Sequence, residues 1–336
     1  MVSMPSCFFS ATFETREVAA LDNMTDHLPA ETPEPLADSL AAVILLVVVP
    51  FGLLLPTEAV AESSRPNILF IMVDDLGPEW IGCYGGLEVE TPQIDALARG
   101  GMRFTNAYSM PQCTPTRVTL LTGQYPFHHG WCNHWDVPRW GAGCHFDPNK
   151  NMTFARLLRS VGYVTAIAGK WQINDFRVQP DVLKAHGFDE WCMWTGYEGQ
   201  NPPSSRRYWD PYVFASGERS RTHKGRFGPD VYADFLVEFL RRHRDQPMLL
   251  YFPMVLTHGP QVHTPAERQA ETRLEKHKAM VRYTDRIVGR LVTTLDHLDI
   301  RRRTIVIFTT DNGTSRPAPV TELRRQGYDP TYGFRG

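Results

Sequence analysis

Asp74-Asp75, Lys170, His258 and Asp311-Asn312 each follow a short apolar run in this 336-residue chain. Asp74, Asp75, Asp311 and Asn312 offer only oxygen ligands, a set that suits a hard cation, Ca²⁺ or Mg²⁺, rather than zinc. Either pair alone also reads as ordinary turn chemistry. Lys170 can hold the oxygens of an anion, and the imidazole of His258 is tuned for proton transfer. A lone Lys or His is more often a solvated or capping side chain. Cys113 precedes the helical pattern Thr114–Leu121. A cysteine at a helix N-terminus has a route to a reactive thiolate.

The elements that must position these groups alternate along the chain. Asn67–Val73, Tyr163–Ala168, Met248–Val255 and Thr304–Phe308 are nearly all apolar, as in strands buried on both faces. Between them lie helical patterns at Thr91–Ala98, Thr114–Leu121, Thr153–Val161, Asp230–His243 and Ala266–Leu298. Thr91 is the expected cap of the first, with Pro92 in its first turn. Strands alternating with helices predict an α/β fold: a mostly parallel central sheet with helices on both faces. Ligands of such sheets sit beyond the carboxyl ends of the strands. That rule gathers residues 74, 75, 170, 258, 311 and 312 on one edge. Residues 201–228, rich in Pro, Ser, Arg and aromatics, read as an excursion loop.

The formal net charge of −2 gives no basis for a nucleic-acid partner or broad membrane-surface binding. Twenty-six prolines and 25 glycines imply many loops. Residues 1–61 read as an N-terminal extension with a signal segment, and 62–336 as the folded domain. The apolar run over residues 40–55 is shorter than the roughly 20 residues of a spanning helix. It precedes Ala59-Val60-Ala61, a small-x-small cleavage pattern. The expectation is export, to the periplasm or outside the cell. A membrane anchor through residues 40–55 is the alternative, and the near absence of Lys or Arg before the run departs from a usual signal. With Cys7 in the extension, Cys83, Cys113, Cys132, Cys144 and Cys192 remain, an odd set. Setting Cys113 aside leaves four, which are either bridged (Cys132 with Cys144, Cys83 with Cys192) or free buried thiols.

Cys113-Thr114-Pro115-Thr116-Arg117, with the run closing on Thr122-Gly123, resembles the signature of the sulfatase branch of the alkaline-phosphatase-like superfamily. The resemblance extends from Arg65-Pro66-Asn67 to the end of the chain. It takes in Val73-Asp74-Asp75, Gly169-Lys170-Trp171, His258-Gly259-Pro260 and Asp311-Asn312-Gly313, in order. It implies that a maturation enzyme oxidises Cys113 to formylglycine, whose hydrate attacks the sulfur of a sulfate ester. Catalytic roles fall to Cys113, Arg117, Lys170 and His258, and substrate contacts to Lys170, His258 and Gln172. The implied metal ligands are Asp74, Asp75, residue 113, Asp311 and Asn312, holding Ca²⁺ or Mg²⁺. The implied substrate is a sulfated small molecule or glycan.

Two departures qualify that expectation. Sulfatases often carry His two residues after the Gly-Lys lysine, where this chain has Gln172, which takes no proton at neutral pH. The chain also ends at Gly336, whereas the family pattern continues with a second lysine and a smaller C-terminal subdomain. An incomplete domain is therefore expected, with the strand at 304–308 left on an unpaired edge and little or no turnover. Rival readings are a phosphate or phosphonate ester hydrolase and a non-catalytic binder of sulfated glycans. Trp131, Trp135, Trp140 and Trp194 suit either stacking on a sugar or burial in the core.

Overall fold

The computed structural model describes residues 2–4, 8–10, 65–86, 88–132, 146–176, 178–195, 206–314 and 325. The run at 40–55, the Ala59-Val60-Ala61 pattern, the expected domain boundary, Trp135, Trp140 and Cys144 lie outside these residues. Among the described residues, no helix is long and apolar enough to cross a membrane.

The apolar runs become the strands of one sheet. In spatial order its described strands are β4 (Met102–Arg103), β2 (Phe8–Ser10), β11 (Thr304–Thr310), β3 (Asn67–Val73), β10 (Met248–Pro253), β6 (Val164–Lys170), β7 (Glu190–Trp194), β8 (Tyr212–Ala215) and β9 (Arg221–Thr222). The central five, β11 to β7, run parallel. The flanking strands are antiparallel. A separate ladder joins β1 (Val2–Met4) to β5 (Ala107–Ser109).

Alternate residues of the central strands feed two cores, as the period of a strand requires. Leu69, Ile71, Ala166, Ala168, Leu250 and Phe252 belong to one. That face is covered by α1 (Pro92–Arg99), α6 (Gly228–His243) and α7 (Arg273–His297). Met72, Ile167, Leu249 and Tyr251 belong to the other, under α2 (Cys113–Thr122), α4 (Phe154–Ser160) and α5 (Val182–Ala185). The short α3 (Pro126–His129) follows α2. Both faces are thus covered, the expected α/β arrangement.

Four local expectations change. The stretch 206–228 is not simply a loop, because it contributes β8 and β9. Tyr212-Val213-Phe214 is β-branched and aromatic, and it pairs with β7. The last helix begins at Arg273 rather than near 266. There Thr272 Oγ1 accepts from Glu275 N at 3.2 Å while Glu275 Oε2 accepts from Thr272 N at 2.9 Å, a capping box that fixes the start. Thr91 precedes α1 without capping it by its side chain. Asp285 of α7 does so instead, accepting from Gln93 N (3.0 Å) and Ile94 N (2.8 Å). Finally, the outer edge of β11 is not open, since β2 pairs with it antiparallel.

Of the two bridges expected as one option, Cys83 with Cys192 does not form, and Cys132 with Cys144 lies outside the described residues through Cys144. Cys83, Cys113 and Cys192 carry free thiols. Cys83 lies in the turn before α1, its N–H bonded to Asp95 Oδ1 at 2.8 Å. Cys192 faces the core from β7, three strands from β3. Burial pushes both thiols up to about 12.

Candidate active site

The ends of β3, β10 and β11 converge through backbone bonds. Asp74 N donates to Leu256 O (2.7 Å), Thr257 N to Asp74 O (2.6 Å) and Asp311 N to Val73 O (2.9 Å). Consecutive residues of a strand point to opposite faces, so two adjacent aspartates need a bend to serve one site. Asp75 supplies it with φ 59°, a left-handed conformation that Asp tolerates better than most residues. Ligand atoms of Asp74, Asp75 and His258 then lie within 4.8 Å of one another.

Helix α2 delivers two further groups. Cys113 opens it and Arg117 follows one turn later, a spacing that stacks both on one helix face. Gly123 ends it in the left-handed conformation, with its N–H on Thr119 O at 2.8 Å. Arg117 is buried and bridges elements: Nη1 donates to Lys170 O at 3.0 Å, and Nη2 to Asp311 Oδ2 at 2.7 Å. Lys170, at the end of β6, donates from Nζ to Asp74 Oδ2 at 2.6 Å. Its predecessor Gly169 has φ 114°, and a Cβ there would stand 2.1 Å from Pro253 O. Only glycine lets β6 pass that close to the end of β10.

The centre holds three acidic side chains, Asp74, Asp75 and Asp311, against the two cations Arg117 and Lys170. Burial works against the Asp74 carboxylate, yet Lys170, His258 and Arg117 hold it well below the usual carboxylate range. Asp311 goes the other way, raised by burial and by Asp74 despite Arg117. The Cys113 thiol is pushed up by burial, with Asp74 and Asp311 adding to the effect and Lys170 and Arg117 opposing it. This is no ready thiolate, so the plain thiolate reading loses its main support.

The structure brings the sequence-derived set together. Sγ of Cys113 and carboxylate oxygens of Asp74 and Asp311 lie within 4.8 Å of one another. Asp75 N donates to Asp311 Oδ1 at 3.2 Å, and Asn312 Nδ2 to Asp75 Oδ1 at 2.5 Å. His258 Nε2 is 3.7 Å from Asp75 Oδ2. Burial holds His258 below its ordinary value, with Lys170 and Arg207 acting in the same sense and Asp74 opposing. Gln172, with φ 56°, places Oε1 4.0 Å from Cys113 Sγ.

Sequence reasoning missed Arg207. It is buried, its Nη1 lies 3.0 Å from His258 Nδ1, and its guanidinium stacks 4.0 Å above the Trp194 ring. Only the arginine-rich composition of the 201–228 stretch pointed that way. Trp194 and Trp131 are both buried, which answers for them the choice between stacking platform and core.

The donor set fits a divalent cation. Asp74 Oδ1 is buried with no hydrogen-bond partner among the described residues, which is costly for a carboxylate oxygen unless a cation satisfies it. A hard cation would also relieve the crowding of carboxylates that raises Asp311.

Comparison with known proteins agrees with this geometry. The family model described as Sulfatase matches residues 66–334. N-acetylgalactosamine-6-sulfatase of Canis lupus familiaris is 31% identical over 307 residues, covering 84% of this chain and 56% of that protein. Arylsulfatase A of Homo sapiens is 31% identical over 293 residues, covering 79% and 55%. The crystal structure of Ps i-CgsB in complex with k-i-k-neocarrahexaose superposes with a TM-score of 0.65 at 25% identity, covering 75% of this chain and 59% of that one. The chain therefore spans little more than half the length of the curated relatives it matches. With its strand-end carboxylates, its cysteine-headed helix and these matches, the chain belongs to the sulfatase family.

Proposed function

We propose that the protein hydrolyses sulfate esters at the carboxyl edge of its sheet. The observation that carries this reading is the clustering of Cys113 Sγ with Asp74 and Asp311 oxygens, bracketed by Arg117 and Lys170. Asp74, Asp75, Asp311 and Asn312 would hold Ca²⁺, with Mg²⁺ as the alternative, beside the side chain at 113. When bound, the cation neutralises charge on a sulfate oxygen. Cys113, oxidised to formylglycine by a maturation enzyme, supplies the hydrated aldehyde oxygen that attacks sulfur.

The remaining groups act on the substrate. Lys170 stabilises charge on the transferring sulfate, and Arg117 orients the side chain at 113 from one turn away. His258 contacts sulfate or protonates the leaving oxygen. Its Nδ1 faces Arg207 and the Gly259 carbonyl, which leaves Nε2 as the nitrogen for that role. Gln172 contacts the substrate and accepts no proton, so the step that releases sulfate slows or relies on water. The substrate is a sulfated small molecule or glycan. Export to the periplasm or cell exterior, supported by residues 40–61, is part of the same reading.

The test is mass spectrometry of the Cys113 peptide after expression with a maturation system, paired with an aryl sulfate assay. A loss of about 18 Da relative to cysteine, and turnover abolished in Cys113→Ser, are the expected results. An intact thiol together with turnover that survives Cys113→Ser would sink the proposal.

A further inference from the structure

A side-chain junction outside the ligand set ties the two cation-binding turns together. The Thr314 hydroxyl, two residues after Asn312, accepts from Gly77 N at 3.0 Å and from Trp80 Nε1 at 3.1 Å. It donates its own proton to Glu79 Oε1. A hydroxyl has one proton and two lone pairs, so this one is saturated. All three partners belong to the segment that follows Asp74-Asp75.

The junction is held from below. Trp80 is wholly buried and meets His277 of α7 edge-on, ring centroids 4.6 Å apart. Glu79 is buried, and its carboxylate folds back over Gly77, where a Cβ would lie 2.0 Å from Oε2. Gly77 therefore lets Glu79 reach Thr314. Backbone pairing of β3 with β11 and the Asp311 N to Val73 O bond join the strand ends, whereas other side-chain ties between the turns involve ligand residues, such as Asn312 Nδ2 to Asp75 Oδ1. The Thr314 junction uses no ligand atom.

We infer that Thr314, clasped by Gly77, Glu79 and Trp80, is a positioning residue that sets the spacing of Asp74-Asp75 and Asp311-Asn312 and thereby the affinity of the cation site. This rests on the cation reading proposed above. Thr314 touches neither substrate nor cation and acts through the turns that carry the ligands.

The test is calorimetric titration of Ca²⁺ into the metal-stripped full chain. Thr314→Val keeps nearly the same shape and removes the hydroxyl. It should weaken Ca²⁺ binding about 10–100-fold, the range for groups that support metal ligands. Thr314→Ser restores the hydroxyl and should bind within about threefold of the unmodified chain. Trp80→Phe removes one donor and should fall between them. If Thr314→Val fails to fold by near-ultraviolet circular dichroism, the Trp80→Phe and Thr314→Ser pair carries the comparison.

If the unmodified chain binds Ca²⁺ and Thr314→Val or Trp80→Phe binds equally well, the inference is overturned and the cation reading stands. Weakening by Thr314→Ser as large as by Thr314→Val also overturns it, since packing rather than the hydroxyl would then matter. If the unmodified chain binds neither Ca²⁺ nor Mg²⁺, the cation reading falls and takes the inference with it.

Discussion

Lys170 Nζ lies 2.6 Å from Asp74 Oδ2, and neither side chain meets solvent. Removing Lys170 leaves Asp74 buried with only Arg117, 3.8 Å away, and His258 to offset its charge, at a cost of up to about 3–5 kcal/mol. Lys170→Met should lose stability of that order in urea denaturation at pH 7. Asp74 is shifted downward in the fold, so its ionised form is favoured there. Its contribution is present above the ordinary aspartate value and is lost as pH falls towards the lower folded value. The gap between the two proteins should therefore narrow below about pH 4. A pH-independent gap would show that the pair is not the source.

Arg207 and His258 should behave as one unit. Their nitrogens are 3.0 Å apart, and Arg207 places a fixed positive charge beside the imidazole. Arg207→Ala should lower kcat/KM for an aryl sulfate by about 10²-fold. Arg207→Lys should recover only part, because the planar fork over Trp194 is lost. In a double-mutant cycle with His258→Ala, the losses should be strongly non-additive. Additive losses would mean that Arg207 acts independently of His258.

Gly169→Ala tests the close approach of β6 and β10. The substitution meets Pro253 O at 2.1 Å and a left-handed φ of 114°. Destabilisation should exceed the roughly 1 kcal/mol of a simple glycine replacement. It should also reduce activity, since the next residue is Lys170. Chemical denaturation reads the first effect, and a stable, fully active variant would contradict the geometry.

Asp285→Ala removes the acceptor that α7 offers to the start of α1. Two backbone N–H groups lose their partner, at a cost of about 1–2 kcal/mol by analogy with N-cap losses. Thr91→Ala leaves both bonds in place, although it removes the acceptor for Gly82 N. Denaturation midpoints should rank Asp285→Ala as the less stable of the two. The reverse order would return the cap to Thr91.

Much of the architecture was legible because strands buried on both faces are nearly all apolar. Asn67–Val73, Met248–Pro253 and Thr304–Thr310 stand out for that reason. The rule that ligands sit at strand ends gathers Asp74, Asp75, Lys170, His258, Asp311 and Asn312 on one edge from the sequence alone. What escaped was set by tertiary contact. Asp285 caps a helix 191 residues away from it in sequence, and no local pattern marks it. Arg207 precedes a hairpin whose short strands are read only once β7 offers an edge. The start of α7 was the exception: Thr272 and Glu275 form a local box, and the longer periodic stretch masked it.

The site is closed by bonds that reach far along the chain. Asp75 and Asn312 are 237 residues apart, and Arg117 and Asp311 are 194 apart. Contacts of such long loop length are slow to find, because the closure entropy must be spent before the contact repays it. As the chain emerges from the ribosome, β3, α2, β6 and β10 are all present before β11 exists. The carboxylates on β3 thus meet their last partners only when β11 docks beside that strand. Assembly of the candidate site comes late in time, after most of both cores have had the chance to form.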